Sequence, residues 1–157
     1  MEEILRKENI KLDLAAESKM DVLKKLSELL FENGEIENAE AFFEDVMERE
    51  SLGFTGAGNQ IAIPHGISDQ VNKVVLAAAA LTDPVIWDTK QQDIPEESKA
   101  VRLVILFAVP KDPPADKEAA YIRVLKRVCV KLADAKSLQK LLAAVSASQI
   151  MDIINGE

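Results

Sequence analysis

Two long apolar runs constrain the fold of this chain most strongly. They cover residues 74–81 and 101–109, and only Arg102 interrupts the second. Neither run shows the alternation of apolar and polar residues that a strand with one solvated face would have. Strands of this kind are covered on both faces, as in sheets that carry helices on either side. We therefore predict two central strands in a sheet flanked by helices.

Amphipathic patterns predict the helices on the amino-terminal side. A first helix over 19–32 follows Ser18, which with Asp21 three residues on is typical of a capping box. Asn38 begins a second helix with a phenylalanine-rich apolar face, and we place residues 48–50 just after its end. Arg49 is then a cation at a helix carboxyl terminus, where the helix dipole favours it.

Three further helices are predicted after the last apolar run. The first carries Tyr121 on its apolar stripe and Cys129 beside it, the second is short, and Ser146 with Gln149 caps the third. Residues 10–14 and 61–63 predict shorter strands, and residues 84–98 predict a long polar connection. The pattern favours an α/β fold, with a mixed, mostly buried β-sheet flanked by α-helices.

Length and charge narrow the classes of function. The chain has 157 residues, which fits a single domain, 1–157. Its 27 Asp and Glu outnumber its 19 Lys and Arg, for a net charge of −8, the wrong sign for holding a phosphate backbone. One Trp, one Tyr and five Phe offer few platforms for stacking bases. We therefore expect no nucleic-acid partner.

Targeting signals and metal motifs are missing from the sequence. No apolar run approaches the ~20 residues of a membrane span, so we expect no direct membrane insertion. No basic region precedes an apolar stretch after Met1, and we expect a cytoplasmic protein. One cysteine, Cys129, and one histidine, His65, cannot form an intramolecular disulfide or a zinc motif of paired histidines. We expect neither a metal nor another cofactor.

The segment from Arg49 to Gly66 is the most informative for chemistry. It contains a glycine-rich loop, whose backbone N–H groups can approach an anion, and ends with His65 between Pro64 and Gly66. The fixed φ of proline and the free φ of glycine indicate an imidazole presented from a turn. Arg49 adds a planar guanidinium suited to phosphate oxygens. From these residues alone, a histidine of this kind is more often a solvated turn residue, and an arginine of this kind is more often a helix-end charge.

The same segment resembles the signature of enzyme IIA domains of the mannitol/fructose type in the bacterial phosphoenolpyruvate-dependent sugar phosphotransferase system. The residues that carry the resemblance are Arg49, Thr55-Gly56-Ala57-Gly58-Asn59, Ile61-Ala62-Ile63-Pro64-His65-Gly66, the run Val101 to Pro110, and Ile122-Arg123-Val124-Leu125. The resemblance covers almost the whole chain. It implies the sandwich fold of the mannitol-type IIA domains, which resembles that of anion-transport proteins.

What the resemblance implies is a phosphocarrier, a phosphotransferase with a phosphohistidine intermediate. In that family, the histidine matching His65 accepts a phosphoryl group from phospho-HPr and passes it to a cysteine of enzyme IIB. Arg49 matches the family's arginine and is expected to offset the phosphoryl charge. The loop residues Thr55, Gly56 and Asn59 are expected to shape the loop or to touch the phosphoryl oxygens. Many members carry a second histidine where this chain has Tyr121, whose phenol can donate one hydrogen bond or simply pack.

Other interpretations remain at this stage. Cys129 is predicted to be a buried, inert thiol in a helix, so the IIB acceptor is expected on another polypeptide. A nitrogen-related regulator, whose phosphorylation state controls partner proteins, would use the same site. A non-catalytic interaction module is the third interpretation, and the intact Arg49, glycine loop and His65 turn argue against it.

Overall fold

The computed structural model describes residues 4–156, and six strands form one mixed sheet at its centre. They are β1 (Leu5–Leu14), β2 (Gly56–Gly58), β3 (Ile61–Ala62), β4 (His65–Ser68), β5 (Val75–Ile86) and β6 (Ala100–Pro110). Their order is β1-β5-β6-β3-β2, with β4 also paired to β6. The central pair β5 and β6 is antiparallel, whereas β1 runs parallel to β5 and both β3 and β4 run parallel to β6. The prediction of a mixed sheet is confirmed.

Five helices cover this sheet on both faces. They are α1 (Lys19–Glu32), α2 (Ala39–Glu50), α3 (Ala115–Ala133), α4 (Ala135–Ala143) and α5 (Ala147–Asn155), and a short 3-10 turn (Glu96–Lys99) precedes β6. Alternate residues of β5 point to opposite faces, so Ala77 packs with α1 and α2 while Leu76 and Ala78 pack with the three carboxyl-terminal helices. The two apolar runs are therefore the central strands, as predicted. Among residues 4–156, no helix is long and apolar enough to cross a membrane.

The predicted helix caps are present, with one difference. Ser146 and Gln149 form both hydrogen bonds of a capping box at α5. At α1, the Ser18 side chain accepts from the backbone N–H of Asp21 at 3.1 Å, but the Asp21 carboxylate accepts from the N–H of Glu17 instead of Ser18. The second bond of the predicted box is thus displaced by one residue.

The end of α2 differs from the prediction. Residues 48–50 belong to the helix rather than following it. The buried face of α2 consists of Phe42, Val46 and Glu50, so the buried stripe of the helix ends on a glutamate. Arg49 therefore lies in the last turn of α2.

The expected connection over 84–98 is shorter than the sequence indicates. β5 shifts its register between Ala80 and Val85 and then pairs with β6 again, so the polar residues between them form an exposed bulge. Trp87, directly after β5, is fully buried against the α1–α2 side of the sheet. The remaining connection begins at Asp88.

Cys129 also lies differently from the prediction. Val128 and Leu132 are the buried residues of α3, and Cys129 lies one residue further around the helix, where it is exposed. The part of the thiol that is covered loses solvation, which raises its pKa. A thiol that stays protonated is a weak nucleophile, so the expectation that Cys129 is inert stays a prediction although its burial was wrong.

Candidate active site

Arg49 occupies the carboxyl end of α2 and is half-buried. Its neighbour Glu50 points into the core, so the arginine, about a quarter-turn away around the helix, points to the side. Among residues 4–156, no carboxylate forms a salt bridge with its guanidinium. An arginine without such a partner presents donors that suit the oxygens of a phosphoryl group.

A tight hairpin joins β2 to β3. Gly58, Asn59 and Gln60 all have left-handed backbone angles, with φ of 77°, 54° and 67°. Glycine and asparagine tolerate this region better than other residues, which explains the Gly-Asn pair at the turn. The N–H of Ile63 donates to the carbonyl of Thr55 at 2.9 Å and ties the two ends of the hairpin together. Asn59 lies exposed at this turn.

His65 is the first residue of strand β4, so the prediction that it is presented from an exposed turn was wrong. Pro64 separates β3 from β4, yet both strands pair along the same side of β6, with Ala62 opposite Val104 and His65 opposite Phe107. Pairing to β6 therefore continues past the proline. The imidazole is tilted against the Phe107 ring, with centroids 4.8 Å apart and planes at 59°. The ring is thereby fixed on a rigid element.

Gly66 is required by close packing rather than by a special backbone angle. A Cβ atom at this position would lie 2.5 Å from two ring carbons of Phe42 and 2.7 Å from Cγ2 of Val46. Its φ is not in the left-handed region. The glycine lets α2 rest directly on β4. Because Arg49 follows Val46 by one helical turn, this contact also holds Arg49 beside His65.

The surroundings of His65 favour its neutral form. Burial lowers the pKa of the imidazole below its usual 6.5, and the positive charge of Arg49 lowers it further. The backbone of Ile63 opposes both effects, but its contact with the ring falls short of a regular hydrogen bond. The neutral form, which retains a lone pair, is therefore the favoured form of the imidazole at pH 7. Its Nδ1 is buried and has no hydrogen-bond partner among the described residues, which leaves Nε2 as the nitrogen that can meet a reactant.

Four of the predicted residues line one shallow pocket of about 130 Å³. They are Arg49, Thr55, Gly56 and His65, and Phe54 and Ile63 complete the lining. A neutral nitrogen nucleophile, a guanidinium and loop backbone thus face the same small volume. That combination can accept a tetrahedral anion at the imidazole and stabilise its charge. Within residues 4–156, no group of three His, Cys, Asp or Glu side chains could hold a metal ion.

Tyr121 lies elsewhere, on α3. It lines a separate pocket with Ile4, Lys73 and Val74. The structure therefore does not bring Tyr121 into the pocket that His65 lines. Its position on the apolar stripe of the helix is consistent with the packing role considered for it.

Three residues that support this pocket were not anticipated from the sequence: Glu50, Trp87 and Lys19. Thr55 is buried, and its hydroxyl contacts Glu50 and the indole of Trp87, while Lys19 contacts Glu50 from α1. One signal was available in the sequence, because Glu50 continues the apolar series of Phe42 and Val46 at four-residue spacing. An acid at such a position indicates a buried carboxylate that needs partners.

Known proteins are similar to this chain in sequence and in fold. A family model described as "Phosphoenolpyruvate-dependent sugar phosphotransferase system, EIIA 2" matches residues 3–157. The chain belongs to this EIIA 2 family. It is similar, at 30% identity over 138 residues, to the 2-O-alpha-mannosyl-D-glycerate-specific EIIABC component of Escherichia coli K12. The match covers 88% of this chain but only 20% of that relative, so the chain spans about a fifth of its length.

Solved structures of EIIA proteins agree over the full length. The nitrogen regulatory protein IIA-Ntr of Neisseria meningitidis is 29% identical, covers 97% of both chains and has a TM-score of 0.80. The E. coli complex of enzyme IIAMTL with phosphorylated enzyme IIBMTL contains a chain that is 25% identical, with 98% of this chain and 99% of that chain covered and a TM-score of 0.75. The resemblance inferred from Arg49 to Gly66 is thus confirmed, and so is the mannitol-type IIA fold. Proteins of this EIIA family act in phosphoryl transfer.

Proposed function

We propose that this EIIA protein is a cytoplasmic phosphocarrier whose His65 accepts a phosphoryl group from phospho-HPr and passes it to a cysteine of enzyme IIB. One observation carries the proposal: a neutral imidazole, with one nitrogen buried, shares a shallow pocket with the Arg49 guanidinium. The names of the related proteins supply the reaction class, and the pocket supplies the acceptor.

Acceptance of the phosphoryl group is an exchange between two imidazoles. The lone pair of His65 Nε2 attacks phosphorus as the nitrogen–phosphorus bond of the donor's phosphohistidine breaks, and the donor imidazole leaves with that electron pair. The proton on Nδ1 of His65 stays in place, so the new phosphoimidazole forms without a free base. Positioning and charge stabilisation supply the catalysis, since both reacting groups are already activated.

Donation reverses the roles at His65. A thiolate of the IIB cysteine attacks phosphorus, a sulfur–phosphorus bond forms, and the nitrogen–phosphorus bond to Nε2 breaks. His65 then returns to its neutral form. In both steps Arg49 faces the phosphoryl oxygens, and the backbone of Thr55 and Gly56 lines the same pocket.

The surface around the pocket suits protein donors and acceptors. Ile67 is 47% exposed and lies two residues after His65 on β4, so both side chains point to the same side of the strand. Leu52, two residues after the end of α2 and three before Thr55, is 77% exposed. Such apolar residues can exclude water from the labile bond when a partner docks. The solved complex of a mannitol IIA with phosphorylated IIB supports the assignment of the acceptor.

The test uses the purified protein with phosphoenolpyruvate, enzyme I and HPr. We expect a mass gain of one phosphoryl group, lost in acid and stable in base, and no gain in the His65→Ala variant. Because His65 is the only histidine, a phosphorylated His65→Ala protein would refute the assignment. When the phosphorylated protein is mixed with a IIB domain, the phosphoryl group should then move to the IIB cysteine.

A regulatory role for the same site is the second candidate. The observation that favours it is the likeness to the nitrogen regulatory protein of Neisseria, whose TM-score and identity both exceed those of the mannitol enzyme. In that role, His65 is phosphorylated by phospho-HPr, but no IIB domain removes the group. Transfer to the IIB domains of the same genome therefore distinguishes the two candidates.

A further inference from the structure

A buried chain of polar contacts lies beneath the pocket. The indole N–H of Trp87 donates to Thr55 Oγ1 at 2.9 Å, and Thr55 Oγ1 lies 2.7 and 2.9 Å from the two carboxylate oxygens of Glu50. Lys19 Nζ lies 3.4 Å from the same carboxylate. The side chains of Lys19 and Glu50 are only 9% and 2% exposed. We refer to these four residues as the anchor network.

The chemistry of the groups fixes the direction of these bonds. An indole N–H can only donate, so Thr55 Oγ1 must accept from Trp87. The threonine proton is then free to donate to Glu50, which accepts from Thr55 and pairs with Lys19. Each of the four side chains has a compatible partner, and removing the Thr55 hydroxyl would leave the buried Trp87 N–H without its acceptor and Glu50 without one of its donors.

The anchor network joins four separate parts of the chain. Lys19 begins α1, Glu50 ends α2, Thr55 directly precedes β2, and Trp87 directly follows β5. Two of these residues adjoin residues of the pocket: Glu50 follows Arg49, and Thr55 precedes Gly56. The separation between the guanidinium and the loop backbone is therefore set from below by the bond between Glu50 and Thr55.

We infer that the anchor network is a positioning device for phosphoryl transfer, with Glu50 and the Thr55 hydroxyl as its central contact. Neither group acts on the phosphoryl group itself: the Thr55 proton is directed to Glu50 and the Glu50 carboxylate is buried. Their role is to hold Arg49 and the Thr55–Gly56 backbone at the spacing that receives the phosphoryl oxygens. This inference rests on the proposed function of His65.

Two further hydrogen bonds give a role to the start of the polar connection after Trp87. Lys19 Nζ donates to the backbone carbonyl of Asp88 at 2.6 Å, and the backbone N–H of Phe54 donates to the Gln91 side chain at 2.8 Å. The connection thus braces the segment 51–55 from outside while Glu50 holds it from inside. Residues 88–91 belong to the support of the pocket.

The experiment compares Thr55→Val, which keeps the side-chain shape without the hydroxyl, with Thr55→Ser, which keeps the hydroxyl. Single-turnover phosphorylation of His65 is measured over a range of phospho-HPr concentrations. For Thr55→Val we expect a maximal rate lower by about ten- to a hundredfold, as for a misplaced catalytic group, with less than about threefold change in the half-saturating concentration. Thr55→Ser should recover most of the rate. Glu50→Leu, which removes the acceptor of the Thr55 hydrogen bond, should resemble Thr55→Val, and the matched control Glu48→Leu, on the exposed side of α2, should behave as wild type.

A second measurement needs no variant. The protein has one tryptophan, so its indole N–H gives a single NMR signal. In the wild type this proton should exchange slowly with solvent, because it is buried and bonded to Thr55. Rapid exchange would overturn the network even if every variant failed to fold.

The remaining outcomes are separable. A wild-type protein that accepts no phosphoryl group from phospho-HPr overturns the proposed function and this role together. A phosphorylated wild type with an equally fast Thr55→Val variant overturns the positioning role alone. A variant whose melting temperature falls while its maximal rate is unchanged shows a purely structural network and also overturns it.

Discussion

Gly66→Ala tests whether the close packing of α2 on β4 sets the positions of Arg49 and His65. The added Cβ would lie 2.5 Å from two ring carbons of Phe42, whereas carbon atoms in contact are normally about 3.5–4.0 Å apart. Relief therefore requires a shift of about 1 Å between the helix and the strand. Phe42 and Val46 are both fully buried, so neither side chain has open space to move into.

The expected cost follows from this overlap. Overfilling a packed core typically destabilises a protein by ~1–3 kcal/mol. For a chain of this length, each kcal/mol lowers the melting temperature by about 2–4 °C. We expect Gly66→Ala to melt about 2–12 °C below wild type. The same shift should slow phosphorylation, because it moves His65 relative to Arg49.

Urea and thermal unfolding of four variants measure the effect: Gly66→Ala, Gly53→Ala, Phe42→Leu and the double variant of Gly66→Ala with Phe42→Leu. Gly53→Ala is the matched control, since its Cβ would have no heavy atom within 4 Å and its φ is not left-handed. Its stability should stay within ~0.5 kcal/mol of wild type or rise slightly. Phe42→Leu opens space at the point of overlap, so the double variant with Gly66→Ala should lose less stability than the sum of the single changes, by about 0.5–3 kcal/mol. If Gly66→Ala and Gly53→Ala unfold alike, the packing explanation is refuted.

Three further predictions concern transfer itself. Arg49→Ala should slow phosphorylation of His65 by about 2–4 kcal/mol in activation free energy, while its folding stability changes by only ~0.3–1 kcal/mol; a normal rate would make Arg49 a helix-end charge alone. Because the folded pKa of His65 lies below 6.5, the acceptance rate should be constant above pH 7 and fall only below 6.5. A rate that already declines between pH 8 and pH 7 would contradict this. The unfolded chain binds the His65 proton more tightly than the folded protein does, so the stability contributed by His65 should be complete above pH 6.5 and lost as pH falls through the lowered pKa. The net charge of −8 predicts faster encounter with a basic face of HPr at low salt. The second-order rate constant for phosphorylation by phospho-HPr should therefore fall between about 20 and 500 mM salt, as the Debye length drops below ~10 Å. A rate constant that does not change with salt would mean that the net charge affects solubility only.

Local patterns predicted the fold because the chain obeys them closely. The two apolar runs became the central strands β5 and β6, and the cap of Ser146 with Gln149 is present as expected. The pattern predicts only residues 10–14 of β1, because residues 6–9 are all polar and show no alternation. In the structure β1 begins at Leu5 and shifts its register between Leu5 and Ile10. Bulges and irregular pairing leave no regular signature in a single sequence.

The functional site was predicted in part because most of its residues are close together in the sequence. Arg49, Thr55, Gly56 and His65 lie within seventeen residues of each other, and their order in the chain already suggested a shared site. Tyr121 was assigned from the matching of a helical segment, yet it lies in another pocket. A helix position fixes the stripe on which a residue lies but not the neighbour that the stripe meets.

The sequence by itself determined the two-sided sheet, the helices and the presence of a single histidine beside proline and glycine. These features depend on local periodicity and on the order of neighbouring residues, which are present in the sequence before any tertiary contact forms. Only the tertiary structure decided that Gly66 is required by the Phe42 ring, that Trp87 is buried, and that Glu50 lies between Lys19 and Thr55. Those facts arise from contacts between distant segments, whose geometry exists only after the helices have packed on the sheet.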